Sequence, residues 1–528
     1  MLGRRSVFVG SKIMIFRSPW PDIESPTGSV CDAVLGRARE FGKKPAVIEG
    51  ETGRTLTYRQ LVQCAERVAA GLACAGLQPG QPIALALPNS IEFVLAWYGG
   101  LLTGGWVVPI PPLYTPAEME VQIRDSGARF LITVPERAAA IENAVDHLFV
   151  TEGNWNALLN CDSMKGDVRP KPDNLAAMPY SSGTTGKPKG VMLTHANIVA
   201  NIRQLEAVAW ARQDDVVINV FPLYHAAGLN CGLNAYLAAG ATIVLMRRFD
   251  LETYLTLSEQ YRATVLGGPP PVILALTKSP LWDKFRLTSL KRAACGAAPL
   301  GAELHEAFEQ RTGLLLGQVW GMSEGTAAIS ATPNDRAKRK FGSCGYLLPS
   351  CEALVVDVVS DKRIGVGETG EIWVRGPHTM KGYWNQPAAT SDTLVGDGWM
   401  RTGDIGYFDS DGCVFLVDRL KELIKYNALQ VAPAELEDII QSHPAVLDAA
   451  VVGAPDPAAG EIPMAFVVRK EGLPLDAEEL MQYVAARVAP HKKIRAVEFI
   501  QAIPKSPSGK ILRRVLKDRV RAQPTRNS

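Results

Sequence analysis

The sequence predicts an α/β protein: a large composite N-terminal domain of α/β subdomains with a β-rich part, followed by a small α+β domain. Its 528 residues leave room for several domain-sized units. Apolar residues make up 47% of the chain and charged residues 21%, which predicts a sizeable core and excludes long disorder. From Thr55 onward, helical and strand patterns alternate, and this order predicts βαβ units around a parallel sheet.

The first elements can be assigned from apolar spacing. Apolar residues at three-to-four spacing over 61–72 predict an amphipathic helix with Gly76 as its C-terminal cap. Asn89 and Ser90 are cap candidates for a second helix. Short apolar runs predict the buried strands 83–87, 106–110, 216–220, 242–246 and 263–266.

The sequence pattern changes after about residue 350, from alternating helices and strands to short strands separated by turns. Four short strands, two of them joined by Ser410-Asp411-Gly412, predict the β-rich part. They are 354–358, 371–375, 403–409 and 413–417. From Asp418 onward, a helix at Pro433–Ser442, a strand at 449–452, a helix at 477–487 and a basic end predict a separate domain. We therefore place the two domains at 1–417 and 418–528.

Neither a membrane span nor a signal peptide is predicted. The run 93–113 has no charge, but four glycines and three prolines interrupt it, so it suits a buried helix followed by a buried strand. Residues 1–13 are basic, with only a token apolar run and no small-residue cleavage site, and we interpret them as an extension.

Charge and cysteine usage exclude several classes of protein. Lys plus Arg number 56 against 54 Asp plus Glu, so no global attraction to nucleic acid is expected. The nine cysteines are scattered without a Cys-x-x-Cys pair, which argues against a disulfide framework and favours a reduced, cytoplasmic protein. The seven histidines lack metal-binding spacing.

The strongest local signal is the loop 180–190. It combines glycines, which let main-chain N–H groups curl around an anion, with hydroxyls and lysines, so it predicts a polyphosphate site. A solvated polar turn is the alternative, but turns rarely combine all three so densely. Pro188 follows the first lysine, so the loop is not a Walker A motif. The candidate ATP-binding residues here are Ser181, Ser182, Gly183, Thr184, Thr185, Gly186, Lys187 and Lys189.

A collinear series of motifs surrounds this loop. With these motifs the chain resembles the adenylate-forming superfamily, most closely 4-coumarate:CoA ligases and related acyl-CoA synthetases. The resemblance implies a large N-terminal domain, a small C-terminal domain that rotates, and a site between them. The motifs are Leu87-Pro-Asn-Ser, Phe221-Pro-Leu-Tyr-His, Gly296-Ala-Ala-Pro-Leu, Trp320-Gly-Met-Ser-Glu, Arg401-Thr-Gly-Asp, Asp418-Arg-Leu-Lys-Glu and Pro504-Lys-Ser-Pro-Ser-Gly-Lys.

The implied reaction has two steps. ATP and Mg²⁺ activate a small carboxylic acid to acyl-AMP with release of pyrophosphate, and CoA then takes the acyl group as a thioester. An enzyme that stops at acyl-AMP and passes it to a carrier protein or partner ligase is the alternative. The oligomeric state stays open between monomer and homodimer.

The resemblance implies ATP-binding roles in the N-terminal domain. Glu324 matches the metal-binding glutamate, with Ser323 beside it. Asp404 matches the ribose carboxylate, since two acceptor oxygens suit two hydroxyls, and Arg419 matches a contact to ribose or phosphate. Trp320 falls where the family packs an aromatic side chain on adenine. The residues that line the nucleotide beside these are Gly296, Ala297, Ala298, Gly321 and Met322.

Further implied roles concern the acid and the second domain. Lys510 matches the lysine that bridges the carboxylate and the α-phosphate, and Lys421 matches the hinge. Lys425 and Gln430 match polar residues used beside the nucleotide or thioester. His225 matches a histidine between the acid pocket and the pantetheine tunnel, where a change of its charge near neutral pH would tune the site.

The chain departs from the family pattern at two positions. Ala428 replaces a glycine beside the pantetheine tunnel, and Asn427, tolerant of left-handed torsions, is expected to adapt the loop. Val319 replaces a small glycine of the acid pocket, which also includes Tyr224, His225, Gly296 and Gly321. The narrower pocket disfavours 4-coumarate and leaves a bulky apolar, aromatic or alicyclic acid as the expected substrate.

Overall fold

The computed structural model of the chain describes residues 14–161, 168, 170–181, 188–427, 429–456, 459–506 and 509–522. Three predicted features lie outside these ranges: the extension 1–13, the loop residues 182–187 and Ala428. The nine cysteines all lie within the described ranges, and no disulfide bond joins them. No helix in the described part of the chain is long and apolar enough to cross a membrane.

The first sheet of the N-terminal domain has a parallel centre. Five strands pair in parallel, and antiparallel strands extend the edge that carries the end of the phosphate loop. In sheet order the strands are Gly382–Tyr383, Lys189–Thr194, Leu175–Ala177, Trp106–Pro109, Pro82–Ala86, Phe130–Thr133 and His147–Val150, with Tyr180–Ser181 paired to Lys189–Thr194.

The second sheet carries most of the candidate site. Six of its nine strands are parallel, as the alternation of helix and strand patterns predicts. In sheet order the strands are Tyr346–Leu347, Ser330–Ala331, Leu315–Trp320, Arg292–Cys295, Val265–Gly268, Val216–Asn219, Thr242–Leu245, Pro45–Glu49 and Thr55–Thr57.

Helices cover these two sheets, and their ends follow capping rules. Thr57 caps the predicted amphipathic helix, and Ser90 caps the next one by accepting a hydrogen bond from the N–H of Phe93. Gly76 follows the capping residue of the first of these with a φ of 100°, the left-handed torsion that favours glycine there. The helices are Val30–Phe41, Tyr58–Cys74, Ile91–Leu102, Pro116–Ser126, Pro135–Ile141, Asn156–Leu159, His195–Ala207, Ala235–Ala239, Leu251–Gln260, Pro270–Lys278, Ala302–Thr312 and Pro387–Thr393.

The third sheet is the predicted β-rich part. Every pair of its strands is antiparallel, and the predicted turn closes at Gly412, whose N–H bonds the carbonyl of Asp409. Its path is Phe16–Arg17, Glu352–Val356, Gly370–Arg375, Trp399–Phe408 and Leu394–Val395, with Arg363–Ile364 paired to Glu352–Val356 and Val414–Arg419 paired to Trp399–Phe408.

The C-terminal domain packs helices on a mixed sheet, as predicted. Its apolar core combines Ile424, Leu436, Val451 and Leu480. The strands in order are Leu429–Val431, Ile424–Tyr426, Gly460–Arg469 and Val446–Asp456, with Ala496–Phe499 parallel to Gly460–Arg469. The helices are Pro433–Ser442, Ala477–Ala485 and Arg513–Ala522.

The strand ends differ from those predicted around the domain junction. The strand predicted at 403–409 begins at Trp399, because Gly403 continues the strand with a φ of 67° rather than starting it. The strand predicted at 413–417 runs over Val414–Arg419, where Asp418 pairs with Ile405. The predicted break between 417 and 418 therefore falls inside a strand of the third sheet. We propose that the N-terminal body continues through Arg419.

Candidate active site

The candidate site lies along the carboxyl ends of the second sheet. Gly296 follows the strand Arg292–Cys295 directly, and Trp320 ends the neighbouring strand. His225 follows the strand Val216–Asn219 by six positions. Because the carboxyl ends of parallel strands meet at one edge of a sheet, these segments converge there, where open α/β sheets bind their ligands.

Small residues bring the backbone close to the cleft. Gly296, Ala297 and Ala298 are all partly exposed. Ala297 has a φ of 72°, a left-handed torsion that costs free energy in a residue with a Cβ and is concentrated at functional sites. A Cβ on Gly321 would lie 1.6 Å from the carbonyl oxygen of Ala327, so only glycine fits there.

Asp404 sits in a network that joins two sheets. The indole N–H of Trp320 donates to its Oδ2 at 2.8 Å, and Nε of Arg419 forms an ion pair with its Oδ1 at 2.7 Å. Asp404 and Arg419 are direct cross-strand partners in the third sheet, whereas Trp320 comes from the second. Asp404 is the first cause of the raised pKa of Arg419. Three residues predicted to bind nucleotide are thus brought together.

Glu324 is held from two sides. The phenol of Tyr383 donates to its Oε1 at 2.8 Å, and the N–H of Met380 donates to its main-chain carbonyl at 2.8 Å. Burial and the nearby Glu324 raise the pKa of Tyr383, so the phenol stays a donor. Sequence reasoning missed Tyr383, because the tyrosine lies 59 positions from the glutamate and no motif joins them.

The surroundings of Glu324 fit a magnesium ligand. Mg²⁺ usually takes one or two carboxylates together with phosphate oxygens and waters. Oε2 of Glu324 carries no hydrogen bond within the described part of the chain, while Oε1 is bonded to Tyr383. No group of three or more His, Cys, Asp and Glu is placed to hold a metal among the described residues. A single carboxylate ligand beside ATP phosphates is the arrangement that these residues support.

The two ends of the phosphate loop are anchored. The phenol of Tyr180 donates to Asp125 at 2.6 Å, and the ammonium of Lys189 lies 5.0 Å from the ring centroid of Tyr383. Lys189 also pairs with Ser181 across the strands that flank the loop. The other predicted residues, Ser182, Gly183, Thr184, Thr185, Gly186 and Lys187, lie outside the described residues.

His225 borders the cleft next to an unusual helix. Its ring lies 4.9 Å from that of Tyr224, and a π-helix, Ala227–Asn234, begins two residues later. A Cβ on Gly228 would lie 2.0 Å from the carbonyl oxygen of Pro222, so a glycine is needed where the chain turns into this helix. π-helical turns are frequent at functional sites. Sequence patterning did not reveal this one.

The expected change of charge of His225 near neutral pH does not fit the structure. Burial, and next the cation of Lys510, lower the pKa of His225 to about 4. The imidazole is therefore neutral at pH 7. It can donate or accept a hydrogen bond there, but it does not switch charge in that range.

Lys510 of the C-terminal domain faces the same cleft. The residue is exposed, yet protein surrounds its ammonium closely enough that desolvation, followed by the charge of Arg419, lowers its pKa to about 8. Asp404 and Glu324 oppose this lowering. Lys421 shows a lowered pKa through burial and Arg419. The structure thus gathers the predicted catalytic lysine, the hinge lysine and both carboxylates around one cleft.

Close contacts hold the C-terminal domain in this orientation. A Cβ on Gly301 would lie 1.9 Å from a carboxylate oxygen of Asp438, and one on Gly509 would lie 2.8 Å from Pro269. The ammonium of Lys278 donates to two main-chain carbonyls of the C-terminal domain, at 3.3 and 3.4 Å. Burial, then Glu437 and Glu303, raise the pKa of Asp438 to about 7.

The residues expected to act on the thioester stand apart from this cleft. Lys425 and Gln430 are exposed cross-strand partners on a hairpin of the C-terminal sheet. Tyr426 pairs with Leu429 across this hairpin, and Ala428 lies outside the described residues. Asn427 adopts a φ of 48°, which agrees with its expected left-handed torsion.

Comparisons with known proteins assign the family. The model of the AMP-binding enzyme family matches residues 35–384, and that of the AMP-binding enzyme C-terminal domain matches residues 435–510. The chain belongs to the AMP-binding enzyme family. It is 39% identical to the 4-coumarate–CoA ligase of Pinus taeda, over 96% of this chain and 98% of that one. Identity to 4-coumarate-CoA ligase 1 of Narcissus pseudonarcissus is 40%, over 97% of each chain.

Solved structures support the same family assignment. ATP-bound MatB from Rhodopseudomonas palustris, 30% identical, superposes with a TM-score of 0.85 over 93% of this chain and 99% of that one. The apo form of MatB superposes with a TM-score of 0.75 at the same identity and coverage. The predicted fold and enzyme class, an AMP-forming acid–CoA ligase, are thereby confirmed.

Proposed function

We propose that this chain activates a carboxylic acid with ATP in the cleft between its two domains and then transfers the acyl group to CoA. The observation that carries the proposal is the position of Lys510. A lysine of the C-terminal domain faces the carboxylates of Asp404 and Glu324, which belong to the other domain. Attack of a carboxylate on the α-phosphate joins two anions, so a cation between them stabilises the transition state.

In this proposal the cleft residues position the nucleotide. Asp404 accepts the ribose hydroxyls, and Arg419 stands beside it toward ribose or phosphate. Gly296, Ala297 and Ala298 allow close approach of the backbone to the nucleotide. Glu324, held by Tyr383, would hold Mg²⁺, which neutralises phosphate charge when bound.

The second step uses the same site after the small domain rotates. Lys421 serves as the hinge, just after the last strand of the N-terminal body. Lys425, Gln430 and Asn427 stand on an exposed hairpin, which suits a surface that enters the cleft only after rotation. His225, neutral at pH 7, lies between acid and thiol, where a charged ring would disturb either anion.

The acid is proposed to be bulky and apolar, aromatic or alicyclic. Val319 lies close to the segment that begins at Gly296, because a Cβ on Gly296 would be 3.9 Å from the Cβ of Val319. Its two methyl groups narrow the pocket relative to a glycine, which disfavours 4-coumarate, the acid in the names of the plant relatives. Tyr224 adds an aromatic wall.

An acid panel tests this function. Each acid is assayed in parallel for ATP-dependent pyrophosphate release and for CoA consumption. We expect the two rates to agree for a bulky apolar acid and both to be lower for 4-coumarate. Pyrophosphate release without CoA consumption across the panel would contradict the second step, and no pyrophosphate release with any acid would contradict the first.

A further inference from the structure

The indole of Trp320 is directed at Asp404 rather than at open space. Its N–H donates to Oδ2 at 2.8 Å, opposite the ion pair of Arg419 with Oδ1 at 2.7 Å. Only 4% of Trp320 and 4% of Asp404 are exposed. With so little surface exposed, the indole offers almost no face on which adenine could stack.

These two contacts leave the carboxylate able to accept further hydrogen bonds. Each ionised carboxylate oxygen has two lone pairs. Trp320 occupies one pair on Oδ2, and the guanidinium of Arg419 lies against Oδ1 as an ion pair. Acceptor capacity remains on both oxygens, and the ribose of ATP presents two neighbouring hydroxyls. The hydrogen bond from the tryptophan thus sets the rotation of the Asp404 carboxylate about the Cβ–Cγ bond.

The two partners of Asp404 differ in their anchorage. Arg419 ends the strand that leads directly into the proposed hinge at Lys421. Trp320 ends a strand of the second sheet, where it belongs to a buried apolar cluster that also includes Ala328 and Met400. The tryptophan therefore holds the carboxylate from a part of the molecule that does not rotate with the small domain.

We propose that Trp320 is a positioning residue for ribose recognition: its indole N–H orients Asp404 so that both carboxylate oxygens face the ribose hydroxyls of ATP. This inference rests on the proposed function, because it assumes that Asp404 binds the ribose. It departs from the expected stacking of Trp320 on adenine, which would act through the ring face and not through the N–H.

The variant Trp320→Phe removes the donor and keeps a flat apolar ring. Pyrophosphate release is measured with ATP, 2′-deoxy-ATP and 3′-deoxy-ATP, and binding of AMP and 2′-deoxy-AMP is measured by calorimetry. We expect the wild type to prefer ATP. The variant should raise KM for ATP about tenfold, the typical effect of one hydrogen bond to a charged group, and raise KM for each deoxynucleotide less, because each keeps only one of the two hydroxyls.

The chain offers a matched control. Trp373 donates its indole N–H to Oε2 of Glu371 at 2.8 Å in the third sheet. Trp373→Phe removes the same type of bond at a carboxylate that has no proposed role in binding. We expect it to leave the preference for ATP over the deoxynucleotides unchanged.

Three outcomes would overturn the inference. One is an equal rise of KM for ATP and the deoxynucleotides in Trp320→Phe, which would indicate adenine stacking or general packing. The second is the same loss of preference in Trp373→Phe. The third is a wild type that releases pyrophosphate but does not prefer ATP over the deoxynucleotides. In that case the proposed function stands, but the enzyme does not recognise the ribose hydroxyls.

If Trp320→Phe does not fold, the same measurements are made with benzothienylalanine at position 320. This residue has the shape of tryptophan with sulfur in place of the N–H group. Loss of the preference for ATP in this protein supports the inference, and its retention overturns it.

Discussion

Two aspartates of this molecule, Asp404, which is buried, and Asp438, which is half-buried, are held in opposite ways. Asp404 of the large domain receives a hydrogen bond from Trp320 on one oxygen and an ion pair from Arg419 on the other. Asp438 of the small domain lies against the backbone of Gly301, and its charged neighbours are other carboxylates, Glu437 and Glu303.

The comparison shows that Asp404 is a binding group already held in place, whereas the contact of Asp438 depends on the orientation of the domains. Trp320 and Arg419, which belong to two different sheets, hold the carboxylate of Asp404 in a fixed position, as ribose binding requires. Burial beside like charges disfavours the ionised form of Asp438, so its pKa rises to about 7. The large domain thus holds its site ready, while the small domain contributes groups whose energy changes when it moves.

The largest effect is expected from the residue that the small domain brings into the cleft. Lys510→Ala should lower the rate of acid-dependent pyrophosphate release by about a thousandfold or more, because a preorganised charge at the reacting oxygens is lost. Conversion of supplied acyl-AMP to acyl-CoA should remain partly intact. Stopped-flow assays of the two half-reactions measure this, and an equal loss in both would refute the assigned role.

A substitution at the interface should affect one orientation only. A Cβ on Gly301 would lie 1.9 Å from the carboxylate of Asp438, so Gly301→Ala should disfavour the orientation that brings Lys510 into the cleft. Overpacking of this kind costs about 1–3 kcal/mol, which predicts about a tenfold or greater loss of pyrophosphate release. Thioester formation from acyl-AMP should change less.

Gly36→Ala is the matched control for this experiment, because a Cβ on Gly36 meets no atom within 4 Å. It should leave both half-reactions unchanged. A Gly301→Ala enzyme that performs both half-reactions at wild-type rates would show that the contact does not set the domain orientation.

The pH dependence should report Asp438 directly. Its pKa is about 7 in this orientation and returns toward its ordinary value, about 4, when the contact opens. The free energy that the titration of Asp438 adds to domain closure is therefore negligible below about pH 4. It increases as the pH rises toward 7 and changes little above pH 7. The asparagine of Asp438→Asn does not titrate.

We accordingly expect the ratio of Asp438→Asn to wild-type pyrophosphate release to rise several-fold between pH 5 and 7 and then to level off. Taking the ratio cancels the titration of Lys510, whose pKa of about 8 is shared by both proteins. A ratio that does not change with pH would mean that Asp438 is not linked to domain orientation.

The smallest effect is expected in the exposed hairpin. Ala428 replaces a glycine of the family pattern, and a Cβ there restricts the backbone or crowds the incoming thiol. Ala428→Gly should therefore speed thioester formation by a few-fold at most, while pyrophosphate release stays the same. Single-turnover transfer from acyl-AMP to CoA measures this, and no change in either rate would make the missing glycine irrelevant.

Local structure could be predicted from the sequence where the residues that determine it are contiguous. The order of helices and strands, the cap at Ser90 and the torsion of Asn427 follow from neighbouring residues and agree with the structure. The predicted domain break between 417 and 418 falls within the strand Val414–Arg419, because a strand pattern does not show which sheet the strand joins.

The sequence by itself determined the family, the two-domain α/β fold and the candidate residues, because short motifs and apolar periodicity are local properties of the chain. Only the tertiary structure decided how those residues are held. The bond from Trp320 to Asp404 spans 84 positions and that from Tyr383 to Glu324 spans 59. Contacts at such separations depend on how sheets and domains pack, and they set the direction of a carboxylate, the neutrality of His225 and the position of Lys510.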